Sequence, residues 1–208
     1  MNSTGLYSIV EEWKLRGKPE QLATDWDPDP WIDQFPEYKE FILDLKSYDL
    51  GFLNRNLIKE IVNKLIIETE INEVLKSPKC KLLNIDITLV NDRQIKDINY
   101  KFRNKNKATD ILSFPMINCE EIKIIGLKNL LKKQENIFLG DIVISLETVR
   151  KDVIKSDKSF KNHLYHLILH SILHLIGYDH VNNKDAKKME NIEISILRKF
   201  GIRNPYIS

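Results

Sequence analysis

The chain has 208 residues, of which 42% are hydrophobic and 30% charged, the balance of a soluble globular protein with one domain or one domain plus an extension. Its net charge of +2 does not by itself indicate a partner. The two cysteines, Cys80 and Cys119, lie far apart in the sequence, which argues against a disulfide scaffold and favours a reducing compartment. No secretory signal is visible, and the longest apolar stretch is too short to span a bilayer. We therefore expect a cytoplasmic protein without a membrane partner.

Residues 1–38 differ in composition from the rest of the chain. They hold all three tryptophans, four of the seven prolines, and eight acidic against three basic residues, whereas basic residues are in excess beyond them. The stretch DWDPDPW cannot form a helix interior or a central strand, because proline removes a backbone donor. We therefore predict an acidic, Pro/Trp-rich N-terminal extension at 1–38 and a single domain at 39–208.

The predicted elements of this domain intersperse strands with helices. Alternating, β-branched segments predict strands at 41–45, 82–91, 110–114 and 139–147. Apolar residues at helical spacing predict helices at 57–75, at 92–103 with Asp92 as N-cap, across the histidine-rich segment, and from about 183 to 200. Residues 117–138 read as a variable connection. This order predicts an α+β fold, with one mixed sheet packed with helices.

All five histidines lie in one segment, HLYHLILHSILHLIGYDH, at residues 163–180. His170 and His174 are one helical turn apart on one face, a spacing that lets both imidazoles bind one metal ion. Gly177 can end the helix in a conformation that other residues resist, after which His180 can return to the same ion. Three imidazoles leave a fourth tetrahedral position for water or substrate, as in catalytic zinc sites. We therefore predict one Zn²⁺ per chain, bound by these three histidines.

The other two histidines, His163 and His166, lie earlier in the same predicted helix. His163 falls near the start of the helix, where we expect it at the surface. His166 lies one turn before His170, so it is either a supporting contact behind the metal ligands or an RNA contact. The offsets of the three ligands also coincide with the metzincin protease signature HExxHxxGxxH. Ser171 stands where those proteases have the glutamate that activates water, which disfavours a metalloprotease.

The segment HSILHLIGYDH closely resembles the HGxLHLxGYDH signature of the YbeY family, bacterial endoribonucleases of ribosomal RNA maturation. Three further stretches resemble segments of that family in the same order, namely INYKFRNKNKATDILSFP (98–115), LGDIVIS (139–145) and MENIEISILRKFGIRNPY (189–206). Ser171 replaces the usual glycine of the family, and both residues are small. Residues 1–38 match no part of the family's core.

This resemblance implies a zinc-dependent endoribonuclease specific for single-stranded RNA. It would mature the 3′ end of small-subunit ribosomal RNA and take part in ribosome quality control. The implied partners are ribosomal RNA and ribosomal subunits, with no nucleotide cofactor. The resemblance also implies that His170, His174 and His180 are the zinc ligands, so that His170 serves catalysis through the metal, and that Arg103 is important for RNA binding and catalysis.

Basic residues cluster at the end of the predicted helix at 92–103 and in the loop before the strand at 110–114. Four bases and no acid occur here, with two aromatic residues interleaved. These six residues are Lys101, Arg103, Lys105, Lys107, Tyr100 and Phe102. Phosphate contacts supply most of the affinity for nucleic acid, and aromatic rings stack on unpaired bases. We therefore predict RNA contacts here, although the stretch alone would fit a solvated helix end.

The expected mechanism combines the zinc site with this arginine. Zinc would polarise the scissile phosphate or lower the pKa of bound water, and Arg103 would neutralise charge in the transition state. Thr109, Asp110 and Ser113 are candidates to line the cleft, and Ser113 and Asp110 are also candidates to support the zinc ligands from behind. The alternative for Asp110 is that it caps or braces its own loop. The general base remains open between zinc hydroxide, His166 and the RNA 2′-OH. A ribosome-assembly factor that binds RNA with little catalysis is the alternative from another class.

Overall fold

The computed structural model describes residues 41–47, 52–131, 134–156 and 159–207, with backbone only for 41–47 and 52–55. The predicted extension at 1–38 lies outside these residues. The strands are β1 (Phe41–Ser47), β2 (Leu82–Val90), β3 (Ile111–Pro115) and β4 (Asn136–Ser145). The helices are α1 (Phe52–Ile67), α2 (Ile71–Leu75), α3 (Asp92–Arg103), α4 (Cys119–Ile125), α5 (Leu127–Leu131), α6 (Leu146–Ser156), α7 (Phe160–Leu175) and α8 (Asn183–Lys199).

The four described strands form one mixed sheet in the order β1-β2-β4-β3. β1, β2 and β4 are parallel, and β3 pairs antiparallel with β4 at the edge. The connection from β2 to β4 passes through α3, β3, α4 and α5, which is the length that a parallel crossover requires. The predicted α+β fold with a single mixed sheet is confirmed.

The two faces of the sheet carry different helices. Side chains alternate between faces along a strand, so Ile142 and Ile144 of β4 point into the main core, where the buried residues of α1 and α7 also lie. Val143 points the other way and packs with Ile95 of α3. The histidine-rich helix α7 and the helix α3 therefore lie on opposite faces. Among the described residues, no helix is long and apolar enough to cross a membrane.

The predicted helix at 57–75 is interrupted in the structure. α1 ends at Ile67, and the Thr69 hydroxyl donates to the carbonyl of Ile66 at 2.9 Å. Such a hydroxyl competes with the helical hydrogen-bond pattern, and a new short helix, α2, begins at Ile71. The apolar periodicity continues through the break because Ile71 and Val74 also join the core, which is why the sequence read as one helix.

The predicted N-cap of α3 is wrong by one residue. The cap is Asn91, whose side chain accepts from the N–H of Gln94 at 2.9 Å, while the Gln94 side chain accepts from the Asn91 N–H at 2.9 Å. This reciprocal pair is a capping box, and it leaves the Asp92 carboxylate for a contact elsewhere. Two further predictions differ from the structure. The strand predicted at 139–147 ends at Ser145, and the helix α6 begins at Leu146. The connection predicted at 117–138 contains the short helices α4 and α5.

Candidate metal centre

The C-terminal end of α7 and the turn after it bring three histidines together. His170 and His174 lie on one face of α7, and the N–H of Tyr178 closes the helix by donating to the carbonyl of Leu173 at 3.0 Å. Gly177 has a φ of +91°, and a Cβ there would lie 3.2 Å from Cγ2 of Ile122. Both the backbone conformation and the space therefore favour glycine at this position.

The imidazoles of the three histidines are close enough to share one ion. A ring nitrogen from each of His170, His174 and His180 lies within 4.8 Å of the other two, and the Nε2 atoms of His170 and His174 are 3.1 Å apart. Two nitrogen ligands of a tetrahedral zinc ion lie ~3.3 Å apart, since each is ~2.05 Å from the metal. The spacing of the donors therefore fits a zinc ion.

The second nitrogen of each helical histidine is held by an acceptor. His170 Nδ1 lies 2.8 Å from Oε1 of Glu193, and His174 Nδ1 lies 2.9 Å from the carbonyl oxygen of Tyr178. Both acceptors require a proton on Nδ1, which leaves the Nε2 lone pairs for a metal. Burial, aided by the neighbouring imidazoles, lowers the pKa of His174 to about 4, so this ring is neutral at physiological pH.

Glu193 of α8 is the unexpected member of the site. Its side chain is 0% exposed, and its second oxygen accepts from the hydroxyl of Tyr206 and lies 3.5 Å from His166 Nε2. Burial by itself would raise the pKa of Glu193, but hydrogen bonds from His166, His170 and Tyr206 outweigh it and lower the pKa to about 2. The carboxylate therefore stays ionised inside the protein.

Sequence reasoning missed Glu193 and Tyr206, although a signal for the glutamate was present. Met189, Glu193 and Ile196 follow helical spacing on the buried face of α8, so an acid interrupts an apolar stripe. Tyr206 ends the stretch 189–206 that resembles the family, but it follows the last helix, so no periodicity indicated a role for it. Burial and the Glu193 contact raise the pKa of the Tyr206 hydroxyl above its ordinary value.

Asp110 and His163 lie in another group. The Asp110 carboxylate accepts from the Thr109 hydroxyl at 2.9 Å and from the Ile111 N–H at 2.8 Å, so it braces its own loop. It lies with Asp152 and His163, one ligand atom of each being within 4.8 Å of the others. His163 is about 16 Å along α7 from His174, given the rise of a helix. Contrary to expectation, both ring nitrogens of His163 are shielded from solvent.

The two serines of interest differ in their surroundings. Ser113 lies on β3 opposite Ile142, and by alternation with Ile111 its side chain is on the α7 side of the sheet. Ser171 is completely buried. A buried hydroxyl cannot act as the exposed base that a protease mechanism requires.

The predicted RNA-binding segment forms the end of α3 and the loop after it. Asn104 ends the helix with a φ of +55°, and the buried side chain of Asn99 donates to the carbonyl of Lys107 at 2.8 Å, which braces the loop. The four basic side chains and Tyr100 are exposed. Phe102 packs edge-on against Phe114 of β3, with 5.2 Å between ring centroids. No contact described in the structure joins Arg103 to the three histidines.

The structure combines a mixed sheet with a buried helix, and three imidazoles converge at the end of this helix and in the turn after it. These features place the chain in a class of α+β proteins with a candidate metal centre. The family model described as Endoribonuclease YbeY matches residues 52–201, and the chain belongs to this family. The resemblance seen in the sequence is thereby confirmed.

Individual proteins are also similar to this chain. Endoribonuclease YbeY of Ruthia magnifica subsp. Calyptogena magnifica is 40% identical over 145 residues, which cover 70% of this chain and 92% of that protein. Among solved structures, the solution structure of TM1509 from Thermotoga maritima is similar with a TM-score of 0.47 at 18% identity, over 80% of this chain and 100% of the other.

Proposed function

We propose that this chain is a zinc-dependent endoribonuclease that cleaves single-stranded ribosomal RNA. Its role would be maturation of the 3′ end of small-subunit ribosomal RNA and ribosome quality control, with ribosomal subunits as partners in the cytoplasm. The observation that carries the proposal is the convergence of His170, His174 and His180 in a chain of an endoribonuclease family. No disulfide joins Cys80 and Cys119 among the described residues, which is in keeping with a reducing compartment.

The three histidines would hold the zinc ion through one ring nitrogen each. When bound, the ion would supply a Lewis acid for the scissile phosphate and a fourth position for water or substrate. The chain's own task is to present neutral imidazoles in a fixed orientation. The carbonyl of Tyr178 and the carboxylate of Glu193 do this by binding the Nδ1 protons of His174 and His170.

The basic segment would bind the RNA strand. Arg103 offers a planar fork of donors suited to a phosphate, and the three lysines around it add positive charge along the backbone path. The exposed ring of Tyr100 can stack on an unpaired base. Selectivity for single strands follows from this stacking, because the faces of paired bases are covered in a duplex.

The test is the substitution Arg103→Ala. Zinc content should remain normal, because the three imidazoles are untouched. Cleavage of a single-stranded RNA should fall by roughly 10²–10³ if the arginine stabilises charge in the transition state. Arg103→Lys should restore activity only in part, because an ammonium group keeps the charge without the planar fork.

The matched control is Arg93→Ala. Arg93 is exposed on the same helix about 15 Å away, so this variant loses the same charge but should keep nearly full activity. A contact made only in the ground state would weaken binding and flatten its salt dependence while saturated turnover stays unchanged. RNA binding without cleavage under any divalent metal would favour an assembly factor, and peptide hydrolysis without RNA cleavage would favour a protease.

A further inference from the structure

A buried carboxylate connects the candidate metal centre with the residues that follow the last helix. We propose that Glu193 is a positioning residue of the metal centre, and that His166 and Tyr206 hold it in the orientation that serves His170. This inference rests on the proposed metal-dependent function. It assigns a task to three side chains that do not reach the ion themselves.

The position of Glu193 is difficult to explain by packing alone. Its neighbours on the inner face of α8, Met189, Ile196 and Leu197, are buried apolar residues of the core. A carboxylate without exposure is expensive to bury unless donors surround it. Here each oxygen has its own partners, with His170 at one oxygen and His166 and Tyr206 at the other. These three donors therefore offset the free-energy cost of burying the carboxylate. An apolar side chain at this position would not carry that cost.

The contact with His170 is suited to metal binding. Glu193 Oε1 lies 2.8 Å from His170 Nδ1 and keeps the proton on that nitrogen, so the lone pair stays on Nε2. An ionised carboxylate also makes the imidazole a more basic ligand. His174 receives its support from a neutral carbonyl instead. Loss of the carboxylate should therefore weaken the metal centre mainly through His170.

The other oxygen is held by two groups that also contact each other. His166 Nε2 lies 3.3 Å from the hydroxyl of Tyr206, and the two rings pack edge to face with centroids 5.4 Å apart. Tyr206 is 13 residues beyond Glu193, so the segment after α8 folds back onto the site. His166 thus acts through Glu193, which gives a specific task to a histidine whose role the sequence left open.

The experiment measures metal affinity rather than RNA cleavage. The full chain is stripped of metal and titrated with Zn²⁺ against a chromophoric chelator, and with Co²⁺ to record the visible absorption of the bound ion. Glu193→Gln keeps the shape and one acceptor but removes the charge. We expect its Zn²⁺ affinity to fall by about 10- to 100-fold, with an altered Co²⁺ spectrum. Tyr206→Phe keeps the ring against His166, and we expect its Zn²⁺ affinity to fall by about 10-fold, the lower end of this range.

The control is Lys187→Gln, which removes a charge from an exposed position of the same helix. None of the described hydrogen bonds or ion pairs joins Lys187 to the histidines, Glu193 or Tyr206, so wild-type affinity is expected. A purely structural role of Glu193 would lower the unfolding temperature of the metal-free protein but leave affinity and spectrum unchanged, and this result would overturn the proposal. If Glu193→Gln does not fold, Tyr206→Phe decides, and wild-type affinity of that variant overturns it. Absence of zinc binding by the wild type would instead refute the proposed function.

Discussion

Asp92 joins α3 to the end of β4 and to α6, and its charge should stabilise the domain in a pH-dependent way. Its carboxylate accepts from the hydroxyls of Ser145 and Thr148, each at 2.6 Å, and from the Lys151 ammonium group. Burial alone would raise the pKa of Asp92, but hydrogen bonds from Lys151, Ser145 and Thr148 outweigh it and lower the pKa to about 2. We predict that Asp92→Asn destabilises the protein at neutral pH.

The size of the effect follows from the difference between folded and unfolded chains. A pKa of about 2 instead of 3.8 is worth about 2.4 kcal/mol, since one unit corresponds to about 1.4 kcal/mol. The Asp92 side chain is 21% exposed and that of Lys151 is 61% exposed, so solvent screens part of this interaction. We therefore expect Asp92→Asn to lower the free energy of unfolding by about 1–2 kcal/mol at pH 7.

The direction of the pH dependence is fixed by the lowered pKa. The folded state binds the proton more weakly than the unfolded state, so the stabilisation is complete above the unfolded value of 3.8 and is lost as pH falls toward 2. Urea unfolding of the wild type and Asp92→Asn between neutral pH and about pH 3 measures this difference. Asp97→Asn, which removes an exposed carboxylate from the same helix, is the control.

Two outcomes would refute this reasoning. A difference in unfolding free energy that stays constant down to pH 3 would mean that Asp92 acts through shape and not through its charge. No difference at pH 7 would mean that solvent screens the contacts with Ser145, Thr148 and Lys151 completely.

The remaining predictions concern the histidine site. His174→Ala should abolish zinc retention, whereas His163→Ala should keep about one zinc per chain because it lies at the other end of α7. Elemental analysis checks this, and equal zinc in the wild type and His174→Ala would exclude His174 as a ligand. Gly177→Ala should cost about 1–2 kcal/mol in thermal unfolding and weaken zinc binding by displacing His180, because φ is positive there. An unchanged unfolding temperature would show that the turn relaxes without cost.

Much of the fold could be predicted because periodicity is a local signal. The alternating, β-branched segment at 82–91 became β2, and apolar spacing at 183–200 became α8. The predictions of secondary structure were wrong where the local sequence was compatible with two different structures. Asp92 was a reasonable cap, but Asn91 with Gln94 formed the capping box instead. The break near Thr69 left the apolar stripe intact, so the pattern did not reveal it.

The candidate metal centre also has a part that the sequence predicted and a part that only the structure revealed. Residue types and spacing in one helix and one turn were enough to predict that His170, His174 and His180 lie together. An α-helix places His170 and His174 on one face whatever surrounds it, and Gly177 lets the chain turn back toward them. Glu193 and Tyr206 contact the histidines from 23 and 40 residues away along the chain. Such distances in sequence are closed only when α8 and the segment after it pack onto α7. Local geometry is encoded by neighbouring residues, whereas the partners behind the ligands depend on which helices share a core, and only the tertiary structure decided that.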